Sequence, residues 1–360
     1  MKSIHDPTQI GRIELRNRIV RSATAEMKSD GEGRLTEGYL PIFDSLAKGG
    51  VGLIITGMMG VNEKAKFGQG TANACYDGFV QDLHKIAERV HALDGRVMVQ
   101  LVHSGAKAML KEEEGQPLGP SDMTLAPARP ARAMTKAEIA DLAEDFAEAA
   151  IRCKEAGVDG VQIHGAHGYL ISQFLSPSTN KRIDEYGGAI ANRGRIAIEI
   201  LEAMRRKTGD DFPLWIKINC KDLVEESITL EECIWICGEL EKRGLDAIEL
   251  SAGMGYGRDS SPSKRIANED EEGSFAPEAL ILADKVGIPV ISTGGFRTPA
   301  VIEQWLNKGG ITGIGLSRPL ICEPNLVNRW KAGDPGKTQC ISCSRCYRPK
   351  NGYGCQVSST

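Results

Sequence analysis

Two imidazoles three residues apart, followed by a phenol, concentrate acid–base chemistry in one short stretch, His164-Gly-Ala-His167-Gly-Tyr169. If the chain turns helical there, both rings share one face. Such a pair can offer two N–H donors to one developing oxyanion, with the Tyr169 hydroxyl as a nearby proton source. From these six residues alone, a helix start with two surface histidines and a packing tyrosine is the alternative account. Further polar groups stand at the ends of apolar runs. Gln100 closes the run 97–101 with an amide that both donates and accepts. Lys217 sits inside the apolar run 214–218, where a cation is costly unless it meets an anion; a structural salt bridge explains it as well as a ligand does. Ser292-Thr-Gly294-Gly295 and Gly315-Leu-Ser317-Arg318 place glycines just before helical patterns. Their backbone N–H groups can approach a phosphate closely, and Arg318 can add a forked contact.

The elements that must position these groups are legible as an alternation. Apolar, β-branched runs at 19–22, 51–56, 97–101, 158–163, 214–218, 247–250, 289–292 and 311–316 are separated by longer segments. Helical periodicity marks 79–93, 136–156, 192–206, 230–243 and 299–308. Eight strands in this order predict a (β/α)8 TIM barrel, whose chemistry collects at the C-terminal ends of the strands. Phosphate sites after strands seven and eight recur in that architecture. An open doubly wound sheet would carry a Gly-rich fingerprint after its first strand, and none stands there. Residues 10–15 predict an N-terminal β-hairpin able to plug the barrel. The long irregular segments 102–132 and 252–275 follow strands and belong at the mouth. The reading divides the chain into a barrel, 1–335, and a Cys-rich tail, 336–360.

The 360 residues carry a formal net charge of −4 with no basic cluster, which argues against nucleic-acid or anionic-membrane partners. No apolar stretch approaches a membrane span, and residues 1–7 lack a signal-peptide pattern, so the expectation is a soluble, cytoplasmic protein. Ten cysteines in such a compartment do not read as a disulfide framework.

Taken together, these residues resemble the Old Yellow Enzyme family of FMN-dependent ene-reductases. The likeness runs from about residue 4 to 326. It rests above all on His164-Gly-Ala-His167-Gly-Tyr169-Leu-Ile-Ser-Gln-Phe-Leu-Ser-Pro177, Asn180-Lys-Arg182-Ile-Asp-Glu-Tyr186-Gly-Gly188 and Asn192-Arg193. It is supported by Asn17-Arg18-Ile19-Val20 and Gln100-Leu-Val-His103-Ser-Gly105. The resemblance implies that Ser22, Ala23 and Thr24 line FMN and that Gly57 or Met58, after strand two, lies against its ring. Gln100 would bond the pyrimidine edge. Lys217 would stand where the family usually has an arginine near N1 and O2, and Gly294, Gly295, Ser317 and Arg318 would hold the phosphate. It implies NADH or NADPH as hydride donor and an activated alkene, conjugated to a carbonyl, as small-molecule substrate. His164 and His167 would polarise the carbonyl, and Tyr169 would protonate the α-carbon. Ala25 and Met27 depart from one branch, which has cysteine and tyrosine there.

Cys340, Cys343, Cys346 and Cys355 have spacings that let successive thiolates reach one metal centre. A [4Fe–4S] cluster, structural zinc and an unligated tail all stay open on spacing. The resemblance favours iron–sulfur, because dienoyl-CoA reductase and trimethylamine dehydrogenase carry a cysteine cluster after the barrel. Their fourth cysteine lies further on than Cys355. With five residues left after Cys355, the expectation is that a cluster has a separate redox partner protein or only a structural role. The alternative reading is therefore an FMN and iron–sulfur electron-transfer subunit acting on something other than an enone. A flavin-free, phosphate-binding barrel is a third. Self-association is expected to be open.

Overall fold

The computed structural model describes residues 1–125, 128–256, 260–347 and 354–357, the Tyr347 side chain excepted. Residues 126–127 and 257–259 of the two long segments, and 348–353 and 358–360 of the tail, lie outside the described residues. Eight strands form the barrel: β1 (Ile19–Arg21), β2 (Leu53–Gly60), β3 (Val97–Val102), β4 (Gly160–Gly165), β5 (Leu214–Asn219), β6 (Ala247–Ser251), β7 (Val290–Ser292) and β8 (Ile311–Leu316). Each pairs in parallel with its successor, and β8 returns to β1, closing the sheet. A barrel strand is covered on both faces, which is why these segments are nearly continuous apolar runs.

Eight helices cover the barrel: α1 (Leu40–Lys48), α2 (Phe79–His91), α3 (Lys136–Glu155), α4 (Arg195–Thr208), α5 (Leu230–Glu241), α6 (Ala276–Ala283), α7 (Pro299–Lys308) and α8 (Leu326–Lys331). Capping boxes start α3 (Thr135 with Glu138) and α5 (Thr229 with Glu232), satisfying backbone donors that the first turn leaves free. The helix read over 192–206 is two pieces, Ile190–Arg193 and α4, with Gly194 between them. Nothing in the periodicity marked α6, Ala-Pro-Glu-Ala-Leu-Ile-Leu-Ala, because it is apolar almost all round. Among the described residues, no helix is long and apolar enough to cross a membrane.

The N-terminal hairpin pairs Thr8–Ile10 with Ile13–Leu15. Its Ile10, Ile13 and Leu15 pack with Val20, Leu53, Met98 and Trp215 in a core inside the barrel, separate from the larger layer between strands and helices. The bottom is thus filled, and the cavity is confined to the other end.

Two local devices shape that end. Strand two is longer than read: it runs to Gly60, so Gly57 and Met58 lie within it rather than after it. The pairing of β2 with β3 shifts between Ile55 and Met58, and Met58 stands opposite Gln100. One extra residue in a strand re-aims the next side chain. The second device is a buried ion pair, Arg21 with Glu26 at 2.8 Å. Arg21 also donates to the Ile55 carbonyl (2.6 Å) and the Thr24 carbonyl (3.0 Å), and Glu26 accepts the Gly57 N–H (3.0 Å). These bonds tie segment 22–25 to the bulge.

The tail packs on the barrel. The Thr338 N–H donates to the Arg297 carbonyl (2.9 Å), its hydroxyl to Glu323 (2.7 Å), and Arg318 donates to the Ser342 carbonyl (3.0 Å). Breaking the Arg21–Glu26 pair from one side leaves a buried guanidinium without its carboxylate. Glu26→Ala should therefore lower stability by about 3–5 kcal/mol, read as a drop in the urea midpoint, while the surface pair Lys285–Asp284 should be replaceable with an effect below about 1 kcal/mol.

Candidate functional site

A cavity of about 700 Å³ opens at the C-terminal ends of the strands, within the range of cofactor sites. Ser22, Ala23, Thr24, Met58, Gln100, His164, His167, Tyr169 and Lys217 line it, as do Gly294, Gly295, Ser317 and Arg318. Gly57 lies behind the wall. A Cβ there would come within 2.3 Å of Glu26 Oε2, so the bulge needs a glycine.

The histidine pair is built differently from the helical spacing first read. His164 is the fifth residue of β4, and the chain then leaves the strand with His167 at φ +60° and Gly168 at φ +70°. Only after Tyr169 does a six-residue helix, Leu170–Leu175, begin. A left-handed turn, not a helical face, brings the rings together: 5.3 Å between the centroids of His164 and His167, and 4.7 Å between His164 and Tyr169. His167 Nε2 lies 2.7 Å from Ser251 Oγ, and its backbone N–H donates to Asn219 Oδ1 at 3.2 Å. Burial, with Lys217 and Lys107 nearby, holds both imidazoles well below the usual histidine range. Each ring is therefore neutral at pH 7 and offers one N–H and one lone pair.

At the floor runs a buried chain of hydrogen bonds that the sequence reading missed. Lys217 donates to Ser22 Oγ (2.6 Å) and Glu249 Oε1 (3.1 Å). Glu249 Oε2 accepts from Gln162 Nε2 (2.8 Å), and Gln162 Oε1 accepts from Gln100 Nε2 (2.7 Å). The signal for Glu249 was present: like Lys217, it is a charge inside an apolar strand, and the two are register partners on β5 and β6. The salt-bridge account of Lys217 thus holds in the geometry, while Lys217 also lines the cavity.

The opposite end of the cavity is cationic. Gly294 and Gly295 stand at φ +118° and +81°, in the left-handed region. The guanidinium of Arg318 bonds the carbonyls of Ser342 (3.0 Å) and Lys264 (2.9 Å) and the Ser344 hydroxyl (3.1 Å). Arg297, absent from the sequence reading, lines the same end, and among the described residues its buried Nε has no hydrogen-bond partner. A buried donor without a partner is costly, and an anion there would relieve it.

The mouth is lined by Phe67, Met109, Leu125 and Tyr256, and among the described residues it also carries the cation Lys107. Lys107 donates to the carbonyls of His167 (2.7 Å) and Met254 (2.6 Å) and lies 5.0 Å from the Tyr169 ring centre. It holds the His167 turn against the loop after β6. Cys346 also borders the cavity. Among the described residues, however, no three Cys, His, Asp or Glu side chains are placed to hold one metal ion. Cys340 is buried while Cys343 is exposed, because residues 338–342 are pinned to the barrel through Arg297, Arg318 and Glu323.

The model of the NADH:flavin oxidoreductase / NADH oxidase family matches residues 3–336. The NADH oxidase of Thermoanaerobacter brockii is 33% identical over 345 residues, which is 93% of this chain and 52% of that protein. The chain spans about half the length of this and two other curated relatives that it matches. A 2-naphthoyl-CoA reductase solved with 2-naphthoyl-CoA superimposes with a TM-score of 0.88 at 28% identity, over 96% of this chain and 54% of that one. An old yellow enzyme homologue from Zymomonas mobilis shares the fold, with a TM-score of 0.80 at 24% identity over 94% and 95% of the two chains.

Burial lowers Lys107 from the usual lysine value to about 7. Between about pH 7 and 10 the unfolded chain holds a proton that the folded chain has lost, so this group makes stability rise with pH there. Lys107→Met should be more stable than wild type by the widest margin below pH 7, and the gap should narrow steadily through pH 9 and close only above about pH 10. Urea midpoints at pH 6, 7.5 and 9 check this; a gap independent of pH contradicts it.

Proposed function

Because the chain belongs to the NADH:flavin oxidoreductase / NADH oxidase family, of the Old Yellow Enzyme type, we propose that it binds FMN. In this reading it takes hydride from NADH or NADPH and reduces a C=C bond conjugated to a carbonyl. One observation carries the reading: two neutral imidazoles and a phenol converge over a cavity whose floor is a fixed polar chain and whose far end is cationic.

The donor set fits FMN. Lys217 spends two of its three N–H groups on Ser22 and Glu249, which leaves the third for the cavity. Gln100 spends its amide nitrogen on Gln162 and presents its oxygen. These two would hold the pyrimidine edge, with Ser22, Ala23 and Thr24 along one side and Met58 beside Gln100. The Gly294–Gly295 turn, Ser317, Arg318 and the unpartnered Arg297 Nε would hold the phosphate. FMN, when bound, supplies the acceptor and donor of hydride.

The protein's own groups orient substrate and move the proton. His164 and His167, held neutral, each donate an N–H to the substrate carbonyl oxygen. They stabilise the negative charge that develops there without the reorganisation water would need. Ser251 fixes the His167 ring, and Lys107 fixes the turn that carries it. Tyr169 stands beside His164 to give its hydroxyl proton to the α-carbon. Phe67, Met109 and Leu125 give the mouth an apolar lining. No step is assigned to the cysteine tail.

Purified protein reconstituted with FMN should show flavin absorption and be bleached anaerobically by NADH or NADPH, then re-oxidised by an enone such as cyclohexenone. His164→Ala should cut the re-oxidation rate about 10²–10³-fold, with FMN still bound. A normal rate in the His164→Ala/His167→Ala double variant would sink the assigned roles. A folded chain that takes up no FMN would sink the flavin reading.

A further inference from the structure

We infer that Glu249 sets both the hydrogen-bond polarity and the net charge that the floor of the cavity presents to a flavin, and so acts as a positioning residue that tunes the flavin's potential. The inference rests on the FMN reading above. Its argument starts from Glu249, fully buried in the middle of β6. A carboxylate paired with Lys217 accepts hydrogen bonds and donates none. Gln162, 2.8 Å from Glu249 Oε2, must therefore turn its NH2 toward it. The Gln162 oxygen then faces Gln100, which must donate its own NH2 at 2.7 Å. Gln100 is left with its carbonyl oxygen toward the cavity. Amide orientation is normally ambiguous from heavy atoms alone; here one buried charge decides it through two side chains. Without that charge each amide could flip, and the floor could offer either a donor or an acceptor.

The same carboxylate offsets a cation. Lys217 is 3.1 Å from Glu249 Oε1, so the pair brings little net charge to the cavity floor. The fold keeps room for this: a Cβ on Gly315 would lie 3.0 Å from Glu249 Oε1 and 2.6 Å from Thr293. Reduced FMN carries a negative charge on the pyrimidine side that oxidised FMN lacks. A lysine half-cancelled by a carboxylate favours the reduced form less than a free lysine does, because neighbouring charges select between charge states by their net field. Glu249 therefore holds the potential down and keeps hydride transfer onward to the substrate favourable.

Two variants separate the two roles, with FMN affinity and midpoint potential as readouts that do not require turnover. Glu249→Gln removes the offsetting charge. Reduced FMN should then be favoured over oxidised FMN about tenfold more than in wild type, a rise of about 30 mV for a two-electron couple. Gln162→Met cuts the relay to Gln100 while leaving the ion pair. It should weaken oxidised FMN about tenfold with the potential unchanged, and it carries the test should Glu249→Gln not fold. A potential unmoved in folded Glu249→Gln, or variants that lose thermal stability with unchanged FMN affinity and potential, would reduce Glu249 to a structural partner of Lys217 and overturn the inference. Wild-type protein that binds no FMN would overturn the flavin reading, and this inference with it.

Discussion

The interior of this barrel holds one charge pair that everything at the catalytic end is arranged around. Lys217 and Glu249 sit side by side on β5 and β6, both buried. Neither is tolerable there alone, since removing one partner strands the other's charge in a medium that solvates it poorly. Both partners' remaining valences must also be met. Ser22 just after β1, Gln162 from β4 and, through it, Gln100 from β3 supply them. One ion pair thus binds four of the eight strands and the segment after β1 into a single polar floor, and polar networks of this kind fix geometry because a half-satisfied member is expensive.

The walls around that floor depend on glycines and bulges more than on regular structure. The β2 bulge carries Met58 to the cavity and Gly57 away from it, and the Arg21–Glu26 pair locks the bulge to segment 22–25. Across the mouth, His167 adopts a left-handed conformation that costs a non-glycine residue energy. Lys107, Asn219 and Ser251 hold its carbonyl, N–H and ring in turn. Part of the backbone strain thus falls on the residue whose ring is assigned to the substrate carbonyl, where pre-organisation has a use.

Much of this was legible. Strand–helix alternation located all eight barrel strands, because a parallel sheet covered on both faces leaves unbroken apolar runs in the sequence. The hairpin at 10–15 was legible for a similar reason: alternating apolar residues need a face to bury. Gln100, His164, His167, Tyr169, Lys217 and the two glycine loops were visible as polar or flexible residues where apolar strands end. The helical reading of the histidine pair failed because spacing alone does not distinguish a helix turn from a strand exit through φ +60°. Arg297, Lys107 and Gln162 carried little local signal: each is an ordinary polar residue in an ordinary context, made special only by what faces it.

The sequence by itself determined the barrel, its closed order and the set of residues gathered at its mouth, since these follow from periodicity and from strand ends, which are local properties. The tertiary structure alone decided which charges meet. That Lys217 finds Glu249, that Gln162 passes its polarity to Gln100, and that Arg318 turns to the tail while Arg297 Nε has no hydrogen-bond partner among the described residues are all matters of through-space pairing between residues tens to hundreds of positions apart. Electrostatic and hydrogen-bond energies depend on separations of a few ångströms, and only the closed barrel sets those.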